Sequence, residues 1–292
     1  MKRLLALVFC LVFLCSGAVA ERLDDQTLLS YYDDCLFIGD SIMQGFRRYR
    51  SAVREKDPSF LESSTVVCTA SISLYVGSRR FLTGDFHFKY RNVDRTMYDI
   101  AKILKPKRIL ILLGLNDPVG IKIDRAMEWI EYIALNIPEF SPETEICFFS
   151  HTPITENYCR TKDRPGYQEK LNEYNQRLKE TCERLGVHYI EIAEPLKGED
   201  GYLAAAYTSD NLCHLNEEGL AVWIQGMLDF AQAEYEAGRW TPAQDETTAE
   251  ATEETPAVEP EPAAVETEVS PGTAEAEPAQ APSTLTIVTE GD

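Results

Sequence analysis

The sequence predicts a three-layer α/β/α sandwich built on a parallel sheet of about five strands. Three observations carry that reading. Short apolar runs recur through positions 21–240, stretches of helical period separate them, and the polar residues of this span gather just past the ends of the runs. Alternation of this kind is the pattern of βα units joined by right-handed crossovers.

The runs are 35–38 (CLFI), 65–68 (TVVC), 108–113 (RILILL), 146–149 (ICFF) and 187–192 (VHYIEI). Four of them are near-continuously apolar, as strands covered on both faces must be, and each gap between runs is long enough for a crossover helix. Helical spacing marks 92–104, 123–137, 167–185 and 217–237. In the third, Tyr167, Leu171, Tyr174, Leu178, Cys182 and Leu185 follow one another at steps of three and four, a stripe that faces a sheet, and Gly186 stops it. No internal repeat is apparent.

The two ends of the 292-residue chain differ from this body. Net charge is −20, but 13 of the 48 acidic residues, and no Lys or Arg, lie in 241–292, a Pro/Thr/Glu/Ala-rich segment without an aromatic residue. Such a composition cannot bury enough apolar surface to offset chain ordering, so 241–292 is expected to be a disordered acidic tail. At the other end, Lys2 and Arg3 precede an apolar run over 4–15, with Ala18 and Ala20 behind it. That is the pattern of a secretory signal peptide, 1–20, cleaved before Glu21, and the run is short of the roughly 20 residues needed to span a bilayer. The expectation is a secreted or cell-surface protein with no stable membrane insertion after cleavage.

The acidic balance opposes a nucleic-acid partner, whose phosphates are held by Lys and Arg. Removing the signal leaves Cys35, Cys68, Cys147, Cys159, Cys182 and Cys213, without the spacing of a metal site or the density of a stapled scaffold. Cys35, Cys68 and Cys147 sit within apolar runs and read as buried small hydrophobes. No metal is expected.

In an open parallel sheet, ligands bind beyond the carboxyl ends of the strands. The residues there are Gly39-Asp40-Ser41, Ala70-Ser71-Ile72-Ser73, Gly114-Leu115-Asn116-Asp117, Ser150-His151-Thr152-Pro153, and the segment with Asp210 and His214. They include every part needed for attack on a carbonyl by an activated hydroxyl. Ser41, at a strand-to-helix turn, is the candidate nucleophile. His214 is the candidate base, with Asp210 to orient it, and the N–H of Ser41 with the Asn116 amide are candidate donors to an oxyanion. Each piece also has an ordinary structural reading: Asp40 and Ser41 as turn and cap residues, Asn116 as a left-handed turn residue, and His214 as packing beside a cap at Asn216–Gly219.

FIGDS, GLND and the final D…HLNEEG segment, taken together, resemble the GDSL-type esterases of the SGNH hydrolase superfamily over about 30–235. The resemblance implies a flavodoxin-like sandwich and an exported ester hydrolase that uses neither metal nor organic cofactor, with Ser41, Asn116 and His214 at the family's defining positions. Its second block usually supplies a glycine N–H to the oxyanion hole; here Ser71 stands in that place. Its acid usually precedes the base by three residues; here Asp210 precedes His214 by four, with Cys213 between. A bulge absorbs that extra residue, or the imidazole loses its carboxylate.

Two further residues, Tyr75 and His151, are candidates for substrate binding, His151 competing with a plain packing role. The aromatic stretch 74–90, with Phe86 among its rings, is a candidate lid or substrate wall, and Asp117 and Pro118 are expected to shape the turn. The leading expectation is a serine esterase acting on a small-molecule or polymeric ester, with acetyl groups on a carbohydrate or cell-wall polymer first. A lipase or lysophospholipase of the same fold, and a non-catalytic glycan- or peptide-binding surface protein, are the alternatives.

Overall fold

The computed structural model describes residues 21–82, 84, 87–117 and 120–243. The expected signal peptide, Phe86, Pro118 and all but the first three residues of the expected tail lie outside the described residues. In chain order the elements are α1 (Asp25–Leu29), β1 (Leu36–Gly39), α2 (Ser41–Arg54), β2 (Thr65–Cys68), the single turn α3 (Leu74–Gly77), β3 (Phe88–Tyr90), β4 (Val93–Arg95) and α4 (Met97–Leu104). There follow β5 (Arg108–Leu112), α5 (Ile123–Phe140), β6 (Glu145–Phe149), α6 (Glu156–Thr161), α7 (Tyr167–Leu185), β7 (His188–Ile190) and α8 (Glu217–Glu236).

Five strands form one sheet in the order β2-β1-β5-β6-β7, and every neighbouring pair is parallel. The order reverses between β1 and β5, so the crevice expected of a doubly wound sheet opens beyond Gly39 and Leu112. Side chains alternate across the sheet as the pleat requires. Leu36, Ile38, Ile109, Ile111, Ile146 and Phe148 point into one core with α4, α5 and the later turns of α7. Phe37, Leu110, Leu112, Cys147 and Phe149 point into the other, with α1, α2 and α8. In that second core, Trp223 of α8 meets Phe46 and Phe149 at 5.1 Å each, which fixes α8 on the sheet face that also carries α2.

The expected strands and helices are present, with one replacement. The stretch 92–104 is helical only from Met97, because Arg91 and Asn92 take positive φ and turn the chain through the antiparallel hairpin β3–β4. Thr96 then starts α4 with a capping box, its hydroxyl taking the Asp99 N–H while the Asp99 carboxylate takes the Thr96 N–H. Of the three cysteines read as core, Cys35 and Cys147 are buried and Cys68 is partly exposed.

Candidate active site

The site is assembled from three loops at the carboxyl ends of the strands and from the turn before α8. Gly39 ends β1 where no side chain fits: a Cβ there would lie 2.7 Å from the Leu112 carbonyl and from Met43. The chain therefore passes straight from strand to helix, with Asp40 as N-cap and Ser41 as first helical residue. The Asp40 carboxylate accepts the Ile42 N–H at 2.9 Å through Oδ1 and the Asn116 amide at 2.9 Å through Oδ2. Asp40 is fully buried, and burial pushes its carboxyl up to about 7 against the pull of the Ile42 N–H, His214 and Asn116.

On the opposite wall, the segment 208–215 closes on itself. Thr208 pairs with Leu215, and the Ser209 N–H reaches the His214 carbonyl at 2.9 Å. Asn211 occupies the left-handed region, φ 54°, and the additional residue before the histidine is taken up there. Asp210 Oδ1 accepts the N–H groups of Leu212, Cys213 and His214 at 2.8, 3.1 and 3.2 Å, leaving Oδ2 for His214 Nδ1 at 2.5 Å. Burial alone would raise the Asp210 carboxyl, but His214 and these N–H groups outweigh it and hold it below its ordinary value. His214 Nε2 lies 3.0 Å from Ser41 Oγ. Asn216 caps α8 by accepting the Gly219 N–H at 2.9 Å, so the cap belongs to Asn216 and leaves the imidazole for Ser41.

Ser71, in the second block, has φ 62°. The turn therefore does ask for the backbone conformation that glycine adopts most readily, and a serine supplies it with some strain. Among the described residues, the N–H groups of Ser41 and Ser71 have no acceptor in the protein. Asn116 is placed between Asp40 and Ile72, its Nδ2 donating to Asp40 Oδ2 at 2.9 Å and more loosely to the Ile72 carbonyl at 3.3 Å. Donors to a developing oxyanion must be free to meet it, and the N–H groups of Ser41 and Ser71 meet that condition.

Other expectations change. His151 is not a crevice residue: it is 1% exposed, its backbone is gripped by the Asn175 amide at 2.7 and 2.9 Å, and its ring edge meets Tyr174. Burial lowers its imidazole to about 4, so it is a neutral packing group, and the substrate role given to it is withdrawn. Tyr75 is 42% exposed on α3, its ring 5.0 Å from Trp129 and its hydroxyl accepting from Arg79. Asp117 does more than shape its turn: its carboxylate receives the N–H groups of Leu74 and Tyr75 at 2.9 and 3.1 Å, tying α3 to the Asn116 loop. Sequence reasoning also passed over Asp40 as a site residue, although its place between a strand and Ser41 is the sign of a helix cap. Finally, Cys and His do converge at one point, since ligand atoms of Asp210, Cys213 and His214 lie within 4.8 Å of one another. There the carboxylate and Nδ1 are already engaged with each other.

Fold and site together define an enzyme of ester hydrolysis on a doubly wound α/β sheet. The chain belongs to the GDSL-like Lipase/Acylhydrolase family, whose model matches residues 37–222, and members of that family are ester-bond hydrolases. Solved structures share the fold. A GDSL-like lipase from Bacteroides thetaiotaomicron is 17% identical, with a TM-score of 0.53 over 70% of this chain and 90% of that one. A candidate acylhydrolase from Bacteroides fragilis is 16% identical, with a TM-score of 0.53 over 69% and 87%. A candidate GDSL-like lipase from Parabacteroides merdae is 14% identical, with a TM-score of 0.51 over 69% and 96%. No curated protein matches the chain.

Proposed function

We propose that the chain is an exported serine esterase that removes short acyl groups, acetyl foremost, from a carbohydrate or cell-wall polymer. One observation carries the mechanism: the continuous line Asp210 Oδ2, His214 Nδ1, His214 Nε2, Ser41 Oγ, with separations of 2.5 and 3.0 Å. Ser41 Oγ attacks the ester carbonyl as its proton passes to His214 Nε2, and Asp210 fixes the tautomer and balances the imidazolium. The oxyanion is met by the Ser41 and Ser71 N–H groups and by Asn116, which gives up its loose contact with Ile72. His214 then protonates the departing alcohol, and a water activated by the same imidazole releases the acid.

Both departures from the family pattern, the features that favoured a non-catalytic binding protein, are accommodated. The longer acid-to-base spacing ends in a carboxylate on Nδ1, and Ser71 keeps a free N–H. A short acyl group is supported by the narrowness of the mostly apolar recess bordering the Asn116 turn, lined by Gly114, Ile121, Ala126, Leu171 and Tyr174, whose cavity volume is about 30 Å³. Export is supported by the pattern of residues 1–20. Among the described residues no helix is long and apolar enough to cross a membrane.

The test is hydrolysis of p-nitrophenyl acetate and p-nitrophenyl palmitate by the protein, by Ser41→Ala and by His214→Ala. Acetate turnover lost in both variants is the expected result. Faster turnover of palmitate turns the assignment to a lipase, and turnover that survives Ser41→Ala removes Ser41 from the chemistry. A secreted product whose first residue is Glu21 is the matching test of export.

A further inference from the structure

Asp117 is a buried carboxylate to which the chemistry proposed above gives no task. It directly follows Asn116, and its two oxygens reach the turn that carries Ser71. Oδ2 accepts the Leu74 N–H at 2.9 Å and Oδ1 accepts the Tyr75 N–H at 3.1 Å, across 43 and 42 residues of chain. Asn116 meets the same turn, its Nδ2 donating to the Ile72 carbonyl at 3.3 Å. Two adjacent side chains thus grip the stretch 72–75. When the Asn116 amide leaves Ile72 for the oxyanion, the two Asp117 bonds are what keep that stretch in place.

Capping α3 does not account for the residue. The cap of that single turn is the Ser73 hydroxyl, which accepts the Val76 N–H at 3.2 Å, whereas Asp117 comes from another loop. Burial raises the Asp117 carboxyl above its ordinary value, against the pull of the Tyr75 and Leu74 N–H groups and of Lys170, so an acid stands here at a cost in stability. Ser71 shows what the grip achieves. An L-residue at φ 62° keeps that conformation only where its surroundings over-determine it. On one side the Thr69 N–H is held by the Gly39 carbonyl at 3.1 Å, and the Ile72 N–H returns to the Thr69 carbonyl at 3.3 Å. On the other side the hold is Asp117.

We propose that Asp117 is a positioning residue of the oxyanion hole, fixing the left-handed Ser71 turn against the loop of Asn116 so that the two donors keep one relation to each other. The inference rests on the esterase reading above and adds a residue that acts through Ser71, without touching the ester.

The test is steady-state hydrolysis of p-nitrophenyl acetate, with a thermal melt of each protein, by the full chain, Ser41→Ala, Asp117→Ala, Asp117→Asn, Ser73→Ala and Asp117→Ala/Ser71→Gly. The expected result for Asp117→Ala is a fall of about 10²-fold in kcat, the size of losing one oxyanion donor, with KM within about a factor of three. Asp117→Asn keeps an oxygen for one of the two N–H groups and loses about tenfold. Adding Ser71→Gly to Asp117→Ala recovers about tenfold in kcat, because glycine takes the left-handed conformation without being held in it. Ser73→Ala lowers the melting temperature and leaves kcat as it was. Equal kcat losses in Ser73→Ala and Asp117→Ala, or no recovery on adding Ser71→Gly, overturn the proposal and leave the esterase reading standing. Full kcat in Asp117→Asn overturns it too, and decides the matter should Asp117→Ala fail to fold. Turnover that survives Ser41→Ala overturns the esterase reading, and the positioning role with it.

Discussion

The two oxygens of Asp210 divide their work, one folding the loop and the other holding His214. Oδ1 gathers three backbone N–H groups of its own turn while Oδ2 meets Nδ1 at 2.5 Å. Asp210→Asn separates the two functions, because the amide oxygen still accepts the turn's N–H groups but no carboxylate faces the imidazole. A fall of about 10⁴-fold in kcat, with an unchanged melting temperature, is expected by comparison with the same change in serine proteases. Kinetics with p-nitrophenyl acetate alongside a thermal melt checks both parts. A loss below tenfold would mean that His214 acts without its carboxylate.

Ser71 stands at φ 62°, and the part proposed for it in the oxyanion hole is played by its backbone. Ser71→Gly relieves the strain of a left-handed L-residue, about 1–2 kcal/mol, and loses about 0.5–1 kcal/mol to greater freedom of the unfolded chain. The net effect is a gain of about 0–1.5 kcal/mol, with kcat kept within a factor of two. Chemical denaturation and steady-state kinetics measure it, and a clear destabilisation would show that the serine hydroxyl is needed in the turn.

Asp40 gives the fold a pH dependence of unusual sign for a carboxylate. Its folded value, about 7, stands above its ordinary value of 3.8, so the folded protein holds this proton more tightly than the unfolded chain does. Its contribution to stability is complete below about 3.8, declines as pH rises through about 7, and is constant beyond. Asp40→Asn, which keeps an oxygen for the Ile42 N–H, removes that decline. Melting temperatures of the two proteins from pH 4 to 8 should therefore diverge upward in favour of the variant, and parallel curves would show that Asp40 is ionised throughout.

His151 predicts the opposite slope. Burial holds its imidazole at about 4, below the ordinary 6.5, so its contribution is whole above 6.5 and lost as pH falls through about 4. His151→Gln removes this component of acid sensitivity and leaves kcat and KM at neutral pH unaltered. A changed KM would restore the substrate role withdrawn above.

The sheet was legible because strands buried on both faces write themselves as apolar runs, and 167–185 was legible to the residue because its stripe keeps strict helical steps. The hairpin β3–β4 was hidden, since its strands are only three residues each and it turns on Arg91 and Asn92, two non-glycine residues at positive φ. In the candidate site, Ser41 and Asn116 stand out by their positions after strands and His214 by its place just before the last helix. The pairing of Asp210 with His214 does not, because it depends on how Asn211 folds a loop of this length. The error at His151 has a physical cause as well: position past a strand end does not reveal whether a side chain turns toward the crevice or, as here, under α7.

Ser41 and His214 are 173 residues apart in the chain. At a synthesis rate of about 5–20 residues per second, the proposed nucleophile exists for roughly ten to thirty seconds before its proposed base has been made. Throughout that interval the nascent polypeptide carries a serine without a general base, and so does any chain being threaded through a pore with its C-terminal half unfolded. Hydrolytic capacity switches on as a late event, when α8 seats against α2, and the timing of the enzyme's first turnover is written into the order of its segments.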